Sequence, residues 1–175
     1  MVLFSKYNLT LKKLEEKEIE ILRTWRNDPR ISKFMLSSSS YISKEKQKEW
    51  FDSIKNSQNS FYYMIYKDDL LLGYSAIKNI DCKSKIGQPG GIINPSIKEP
   101  ILACLKAFIT YDFYFDKLGI LSTYAYIKNS NIKSHNYAKS LGYKQDKSKN
   151  NGDFYYYTLN KDDYIAKRYR YLSIT

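Results

Sequence analysis

Residues 86–116 read IGQPGGIINPSIKEPILACLKAFITYDFYFD, and this stretch decides the architecture. Its first part, Ile86 to Ile93, is extended and contains the pair Gly90-Gly91. Glycines inside a strand mark a bulge or a close approach of backbone. Asn94-Pro95 ends the strand, and an amphipathic helix runs from about Pro100 to Asp116. Proline is tolerated in the first helical turn because its missing N–H would have no intrahelical partner there. A further strand follows at Leu121 to Ile127. Strand, helix and strand in this order form a crossover that lays two parallel strands in one sheet.

On the N-terminal side lie two extended segments, Phe61 to Tyr66 and Leu70 to Ile80, joined by a hairpin turn at Asp68-Asp69. Earlier still, Leu9 to Leu14 alternates apolar and polar residues as a half-buried strand does. Ile19, Ile21, Leu22 and Trp25 recur at helical spacing, and that helix ends before Asp28-Pro29 because a residue preceding proline disfavours the helical region. Ser37 to Ser40 reads as a loop, and Ser43 as the N-cap of a helix from Lys44 to Ile54. Downstream, a helix from Ile132 to Leu141 is stopped by Gly142. Strands near Tyr143 to Gln145 and Phe154 to Leu159 close the chain, with Asn151-Gly152 turning between them. The expectation is one α/β (α+β) domain over residues 1–175, a mixed sheet of about seven strands with helices on both faces. Such a scaffold hosts many activities and names none of them.

With 43% apolar residues in 175, the chain has the material for one packed core, which excludes a disordered chain. Cys82 and Cys104 match no metal or redox spacing and read as small buried hydrophobes in a reducing compartment. The N-terminus lacks a secretory apolar run, and the longest apolar stretch is interrupted by Lys106 and Asp112. A cytoplasmic protein without a membrane span is expected. A single histidine, His135, expected to be exposed on its helix, makes a histidine-based metal site or triad unavailable, so no metal is assigned. Glu45, Asp81 and Glu99 are candidate bases, with nothing in the sequence choosing among them. The formal charge of +11 calls for an acidic ligand. Its densest groups, Lys144, Lys147 and Lys149, then Lys167, Arg168 and Arg170, have neither the form of a polybasic tail nor that of a nucleic-acid motif. Small phosphorylated ligands are therefore preferred over nucleic acid, and most of these charges read as solvated surface.

Four stretches, in register with this element order, resemble the GNAT superfamily of N-acetyltransferases over roughly residues 8–160. They are Leu14 to Ile19 continuing to Trp25-Arg26-Asn27-Asp28-Pro29; Ile42-Ser43-Lys44-Glu45 leading to Trp50; Gly73 with Gly91-Ile92-Ile93-Asn94-Pro95; and Asn131-Ile132-Lys133-Ser134 continuing to Leu141-Gly142-Tyr143. The resemblance implies acetyl-coenzyme A as co-substrate. It places the pantetheine arm and thioester carbonyl against the backbone at Ile92, Ile93 and Asn94, with the Ile93 N–H stabilising the oxyanion. It assigns Lys98, Ile101, Leu102 and Ala103 to the coenzyme A pyrophosphate, and Asn131 and Ser134 to the same ligand. The family usually has Arg/Gln-x-x-Gly-x-Gly/Ala at the pyrophosphate. Here Lys98-Glu99-Pro100-Ile101-Leu102-Ala103 keeps the first cation and the last small residue, replaces the central glycine and adds an acid. The usual general-acid tyrosine falls on Ala138; Tyr137, next to it, is the remaining candidate, turned about 100° around the helix.

The N-terminal third most resembles N-acetyltransferases of nucleotide-linked amino sugars, as in the pseudaminic acid pathway. This implies a small-molecule amine as acceptor, with Arg26, Asn27, Met35 and Gln47 binding it; Gln47 stands where that branch usually has a histidine. An Arg26 guanidinium can grip a diphosphate in a bidentate manner. Two other readings stay open: acetylation of protein N-termini, as in ribosomal-protein acetyltransferases, and a GNAT-like binding module without turnover. The oligomeric state is open too, a homodimer included.

Overall fold

The computed structural model describes residues 2–35 and 41–172; the expected loop at Ser37 to Ser40 lies outside the described residues. Eight strands form one sheet in the order β1-β2-β3-β4-β5-β6-β8-β7. They are β1 (Val2–Lys6), β2 (Leu9–Lys13), β3 (Phe61–Lys67), β4 (Leu70–Asp81), β5 (Ile86–Ile93), β6 (Ser122–Lys128), β7 (Lys144–Gln145) and β8 (Phe154–Asn160). The helices are α1 (Ile19–Asn27), α2 (Pro29–Ser32), α3 (Lys44–Ile54), α4 (Pro100–Asp112), α5 (Ile132–Leu141) and α6 (Lys161–Leu172). Neighbouring strands run antiparallel except β5 and β6, which the α4 crossover makes parallel.

Both faces of the sheet are buried because successive side chains point opposite ways. On β3, Tyr63 and Ile65 join the cluster around Phe108 and Ile109 of α4, while Met64 joins Leu22 and Trp25 of α1 and Phe51 of α3. Ser43 caps α3 by accepting from the Lys46 N–H, and Gly142 ends α5 at φ 100°. Asp68 adopts φ 52° in the β3–β4 turn, a conformation that aspartate tolerates.

Three elements differ from the sequence expectation. Strand β1 adds to the sheet's edge through a two-residue turn, Tyr7-Asn8, with φ of 59° and 55°. Such turns favour Asn-Gly or Asp-Gly, so this one carries no turn signature. The long helix leaves α geometry at Asp112 and finishes in a π turn, Phe113–Lys117. Helix α6 follows β8 and packs back on α5. Its Arg168 is not solvated surface: with Lys6 (2.5 Å), Tyr7 (2.7 Å) and Tyr164 (2.8 Å) it converges on the fully buried Asp112 carboxylate. Burial pushes the Asp112 carboxyl up, and these four partners more than offset it, holding it below the usual carboxylate range. This network fastens the β1–β2 turn and α6 to α4. Cys82 is exposed, at variance with the buried reading; Cys104 is half-buried, with its thiol pushed up by burial.

Candidate active site

The site begins where two strands part. β5 pairs with β4 from Lys78↔Gln88 to Gly73↔Ile93, but with β6 only at Ile86↔Ser122 and Gly87↔Thr123. Beyond Gly87 the two diverge, and the far edge of β6 is taken along its whole length by β8. The Asn94 N–H donates to Leu72 O of β4 at 2.8 Å. Backbone groups alternate sides along a strand, so Ile92 and Gly90 also point their N–H and C=O at β4. Ile93 and Gly91 point theirs into the gap; Pro89 occupies the preceding gap-facing position and has no N–H to leave unpaired. The strand thus holds two fixed amides toward open space.

Of the three backbone positions expected to hold the donor, the N–H of Ile93 faces the gap. Ile92 turns its side chain to the α1/α3 cluster. Asn94 is a turn clamp, its Nδ2 donating to Leu71 O (2.8 Å) and its Oδ1 accepting from the Ser96 N–H (3.0 Å).

Around the gap lies a cavity of about 1020 Å³ whose walls come from both faces of the sheet. Arg26, Met35, Trp50, Tyr62 and Tyr74 line it on the α1/α3 side, Ala103, Lys106 and Thr110 on the α4 side, and Asn131, Ser134, Tyr137 and Ala138 along α5. Asn27, Gln47, Asn94, Lys98, Ile101 and Leu102 are not in its wall. Asn27 ties the end of α1 to the start of α3, accepting from the Ile42 N–H (2.8 Å) and donating to Ile42 O (2.9 Å). Gln47, 1% exposed, accepts from Arg26 Nη1 at 2.9 Å and so aims the guanidinium, which also lies over the Trp50 ring at 5.0 Å. Leu102 is buried in the core, Ile101 is exposed, and Asn131 caps α5 by accepting from the Ser134 N–H.

The charge of the wall has one sign. Arg26, Arg30, Lys33, Lys78, Lys106, Lys128 and Lys133 contribute to it; among the described residues no aspartate or glutamate does. Arg30 is paired with Asp28, which lies outside the wall. Burial pushes the Arg26 guanidinium down, and burial together with Arg26 pushes the Lys78 ammonium down. Cations left underpaired at such a surface favour an anionic ligand.

At the start of α4 the fit to a phosphate is poorer. Pro100 offers no N–H, and the Leu102 N–H closes on Glu99 O at 3.1 Å, which leaves Ile101 as a first-turn amide for an anion. The Glu99 carboxylate accepts from the Lys98 N–H (3.1 Å), placing an acid beside this end of the helix. The helix dipole still favours an anion there.

Three side chains change standing. Tyr137, the remaining acid candidate, lines the cavity from α5 beside Ala138, and burial there pushes its phenol up. His135, expected on the surface, is 6% exposed and its Nδ1 lies 3.0 Å from Tyr157 Oη. The helix turns it inward because Ala138 and Leu141, three and six residues on, share its buried face. Lys106, read in the sequence only as an interruption of an apolar run, is 8% exposed on the buried face of α4, and burial alone pushes its ammonium down to about 8. A lysine among Leu102, Ile109 and Thr110 at helical spacing was the available signal.

A sheet opened between parallel strands, with gap-facing amides on one lip and a cavity wall of one charge sign behind, has the geometry to receive an acyl carbonyl. A family model described as an acetyltransferase (GNAT) domain matches residues 11–158, and the chain belongs to this family. It is an N-acetyltransferase, and acetyl-coenzyme A is the co-substrate of its family. The acetyltransferase PseH of Campylobacter jejuni (strain 81-176) is 26% identical over 151 residues, covering 86% of this chain and 90% of that protein. Among solved structures, the apo form of FdhC, a nucleotide-linked sugar GNAT, matches with TM-score 0.78 at 22% identity, covering 94% of this chain and 93% of that one. The spermidine N-acetyltransferase of Vibrio cholerae in complex with coenzyme A and spermine matches with TM-score 0.80 at 16% identity, covering 91% and 99%. These structural likenesses concern the fold. Among the described residues no group of three His, Cys, Asp or Glu side chains could hold a metal ion, and no helix is long and apolar enough to cross a membrane.

Proposed function

We propose that this enzyme transfers the acetyl group of acetyl-coenzyme A to a primary amine on a nucleotide-linked amino sugar. The observation that carries this reading is the cavity wall: seven basic side chains, no carboxylate among the described residues, and Arg26 held ready by Gln47 and Trp50. A diphosphate linker meets a guanidinium fork at Arg26 and the Lys78 ammonium beyond it, while the gap-facing Ile93 N–H serves the thioester oxygen. The donor fits the gap on the same grounds, since both ligands are anions and the amides of Gly91 and Ile93 are free to receive a carbonyl.

The same wall argues against a polyamine. A second cation about 7 Å from Arg26 costs about 2 kcal/mol at an effective dielectric of about 20, and the wall offers several such cations with no carboxylate among its described residues. Likeness to a spermidine acetyltransferase therefore does not extend to its acceptor. The relatives named for PseH and for a nucleotide-linked sugar GNAT support the sugar-nucleotide choice.

The test is a panel of UDP- and dTDP-linked amino hexoses beside spermidine and N-terminal peptides, each with acetyl-coenzyme A, following release of the free thiol. Turnover of a nucleotide-linked amino sugar at a kcat/KM at least about 10²-fold above the free amino sugar is expected, matching about 2.7 kcal/mol of phosphate recognition. Preference for spermidine would overturn the assignment.

A further inference from the structure

Acyl transfer from a thioester needs a proton for the departing sulfur, and the wall offers few groups able to give one. Among the described residues it has no carboxyl, and His135 does not line it. Of its tyrosines, burial pushes Tyr62, Tyr74, Tyr111 and Tyr137 up, and Tyr143 up to about 12, which makes these poor acids, while Tyr126 stands on β6, across the gap from β5. Tyr143 is further committed to Tyr111 Oη and Thr123 Oγ1, each at 2.8 Å.

Lys106 is placed differently. Its side chain crosses the α4 face of the sheet beneath two glycines. Its Cε lies 3.3 Å from where a Cβ on Gly73 would be, and its Nζ 2.8 Å from that position on Gly91. Gly73 pairs with Ile93, so the lysine passes below the residue whose N–H enters the gap and ends at the next gap-facing residue, Gly91. Side chains at residues 73 and 91 would fill the channel it uses. Ser75 Oγ lies 3.3 Å from the same Gly91 position. Thr110 Oγ1 gives its proton to Lys106 O (2.8 Å), so in the 3.0 Å bond between the two hydroxyls Ser75 must be the donor. Ser75 Oγ then retains only acceptor capacity on the side of the Gly91 position that Lys106 Nζ also approaches.

We infer that Lys106 is the catalytic proton donor of this enzyme, delivering a proton from its ammonium to the departing sulfur of the acetyl donor. This rests on the acetyl-coenzyme A reading above. As the amine nitrogen bonds to the acetyl carbon, the carbon–sulfur bond breaks and its electron pair goes to sulfur. Lys106 gives sulfur one proton. The nitrogen loses one proton to solvent, and solvent returns one to Lys106, so the step closes on amide and free thiol. Burial brings this ammonium down to about 8, into the range of an ordinary thiol at about 8.5, so acid and leaving group are matched, whereas a buried phenol would transfer uphill. The titratable groups sharing the cavity with it are, besides the other six cations of the wall, Tyr62 of β3, Tyr74 of β4, Tyr111 of α4, Tyr126 of β6, Tyr137 of α5 and Tyr143 just beyond it. Burial pushes Tyr62, Tyr74, Tyr111, Tyr137 and Tyr143 up, and burial alone sets the downward shift of Lys106.

The experiment compares wild type, Lys106→Met and Lys106→Arg with acetyl-coenzyme A and a turned-over amino-sugar nucleotide. Alongside it, a 13C NMR titration of ε-13C-lysine-labelled protein is run in the absence of substrates. Expected are one lysine resonance titrating near 8 that vanishes in Lys106→Met, and a wild-type kcat that falls above about pH 8. In Lys106→Met, kcat should drop about 10²-fold or more and lose that basic limb, with donor affinity by calorimetry within about threefold. Lys106→Arg keeps the charge but cannot release a proton, and it stays low; recovery of kcat in this variant would reduce Lys106 to a fixed charge and overturn the inference. A wild type that turns over while Lys106→Met keeps both its rate and its basic limb overturns the inference alone. A wild type that fails to turn over acetyl-coenzyme A with any amine overturns the donor reading, and the inference with it. Removing a buried charge does not threaten folding, and the titration reads on the wild type in any case.

Discussion

Replacing Arg26 with methionine tests the acceptor assignment where the structure is most specific. Among the described residues the guanidinium has one hydrogen-bond partner, Gln47 Oε1, and one stacking partner, Trp50, and no carboxylate there holds it. Its remaining donors are therefore available to a phosphate. Hydrogen bonds to charged groups contribute about 1.5–3 kcal/mol, so acceptor KM should rise about 10- to 150-fold while kcat changes little. A second cost falls on stability. Gln47 Nε2 is already buried without a partner, and Arg26→Met strands its Oε1 as well. An unsatisfied buried group costs about 1–3 kcal/mol, which lowers the melting temperature of a chain this size by about 2–12 °C. Arg26→Lys keeps the charge but loses the planar fork and should fall between. The assay is steady-state kinetics at saturating donor and a temperature well below the variant's melt, with donor Kd by calorimetry as the control. Acceptor KM within twofold of wild type, in a folded variant with unchanged donor Kd, would refute a phosphate-binding Arg26.

Asp112→Asn removes the carboxylate on which Lys6, Tyr7, Tyr164 and Arg168 converge, leaving Arg168 with an uncompensated charge. The expected loss is about 3–5 kcal/mol, a fall of about 6–20 °C in melting temperature by calorimetry. Because the folded pKa of Asp112 is depressed, its contribution is complete above the unfolded value of about 3.9 and is lost as pH falls through the lower folded value, so the variant's acid unfolding should be shallower. The two adjacent glycines should behave oppositely. Gly90→Ala meets nothing nearer than Lys78 Cε at 3.8 Å and should be silent, whereas Gly91→Ala puts a methyl 2.8 Å from both Lys106 Nζ and Tyr74 O and should lower kcat, as thiol-release kinetics on the pair will show. Glu99→Gln removes the acid beside the first turn of α4 and should tighten acetyl-coenzyme A binding about two- to fivefold by calorimetry, from about 0.3–1 kcal/mol of helix-terminus electrostatics. No change in donor Kd would place the pyrophosphate elsewhere.

Local chemistry made most of the scaffold legible in the sequence. The crossover at residues 86–127, the proline-started helix, the Gly142 stop and the hairpin at Asp68-Asp69 each rest on preferences that act within a few residues. Ile93 as a gap-facing amide was legible on the same terms, through the family pattern around Gly91. What tertiary structure alone decided were the pairings across long sequence distances. β1 is held by a Tyr7-Asn8 turn with no sequence signature and by Tyr7's bond to Asp112, 105 residues away. Helix α6 is fixed by its contacts with α4 and β8, and Arg168 became a buried partner because its target lies on another helix. Asn27 and the Gln47 carbonyl are polar groups fit for a ligand, yet the fold commits them to the Ile42 backbone and to Arg26, which their residue types could not reveal. Lys106 shows the limit most clearly. A lysine's charge is written in the sequence, but its acidity depends on how much water the glycine-lined channel excludes, and only the packed sheet and helix set that.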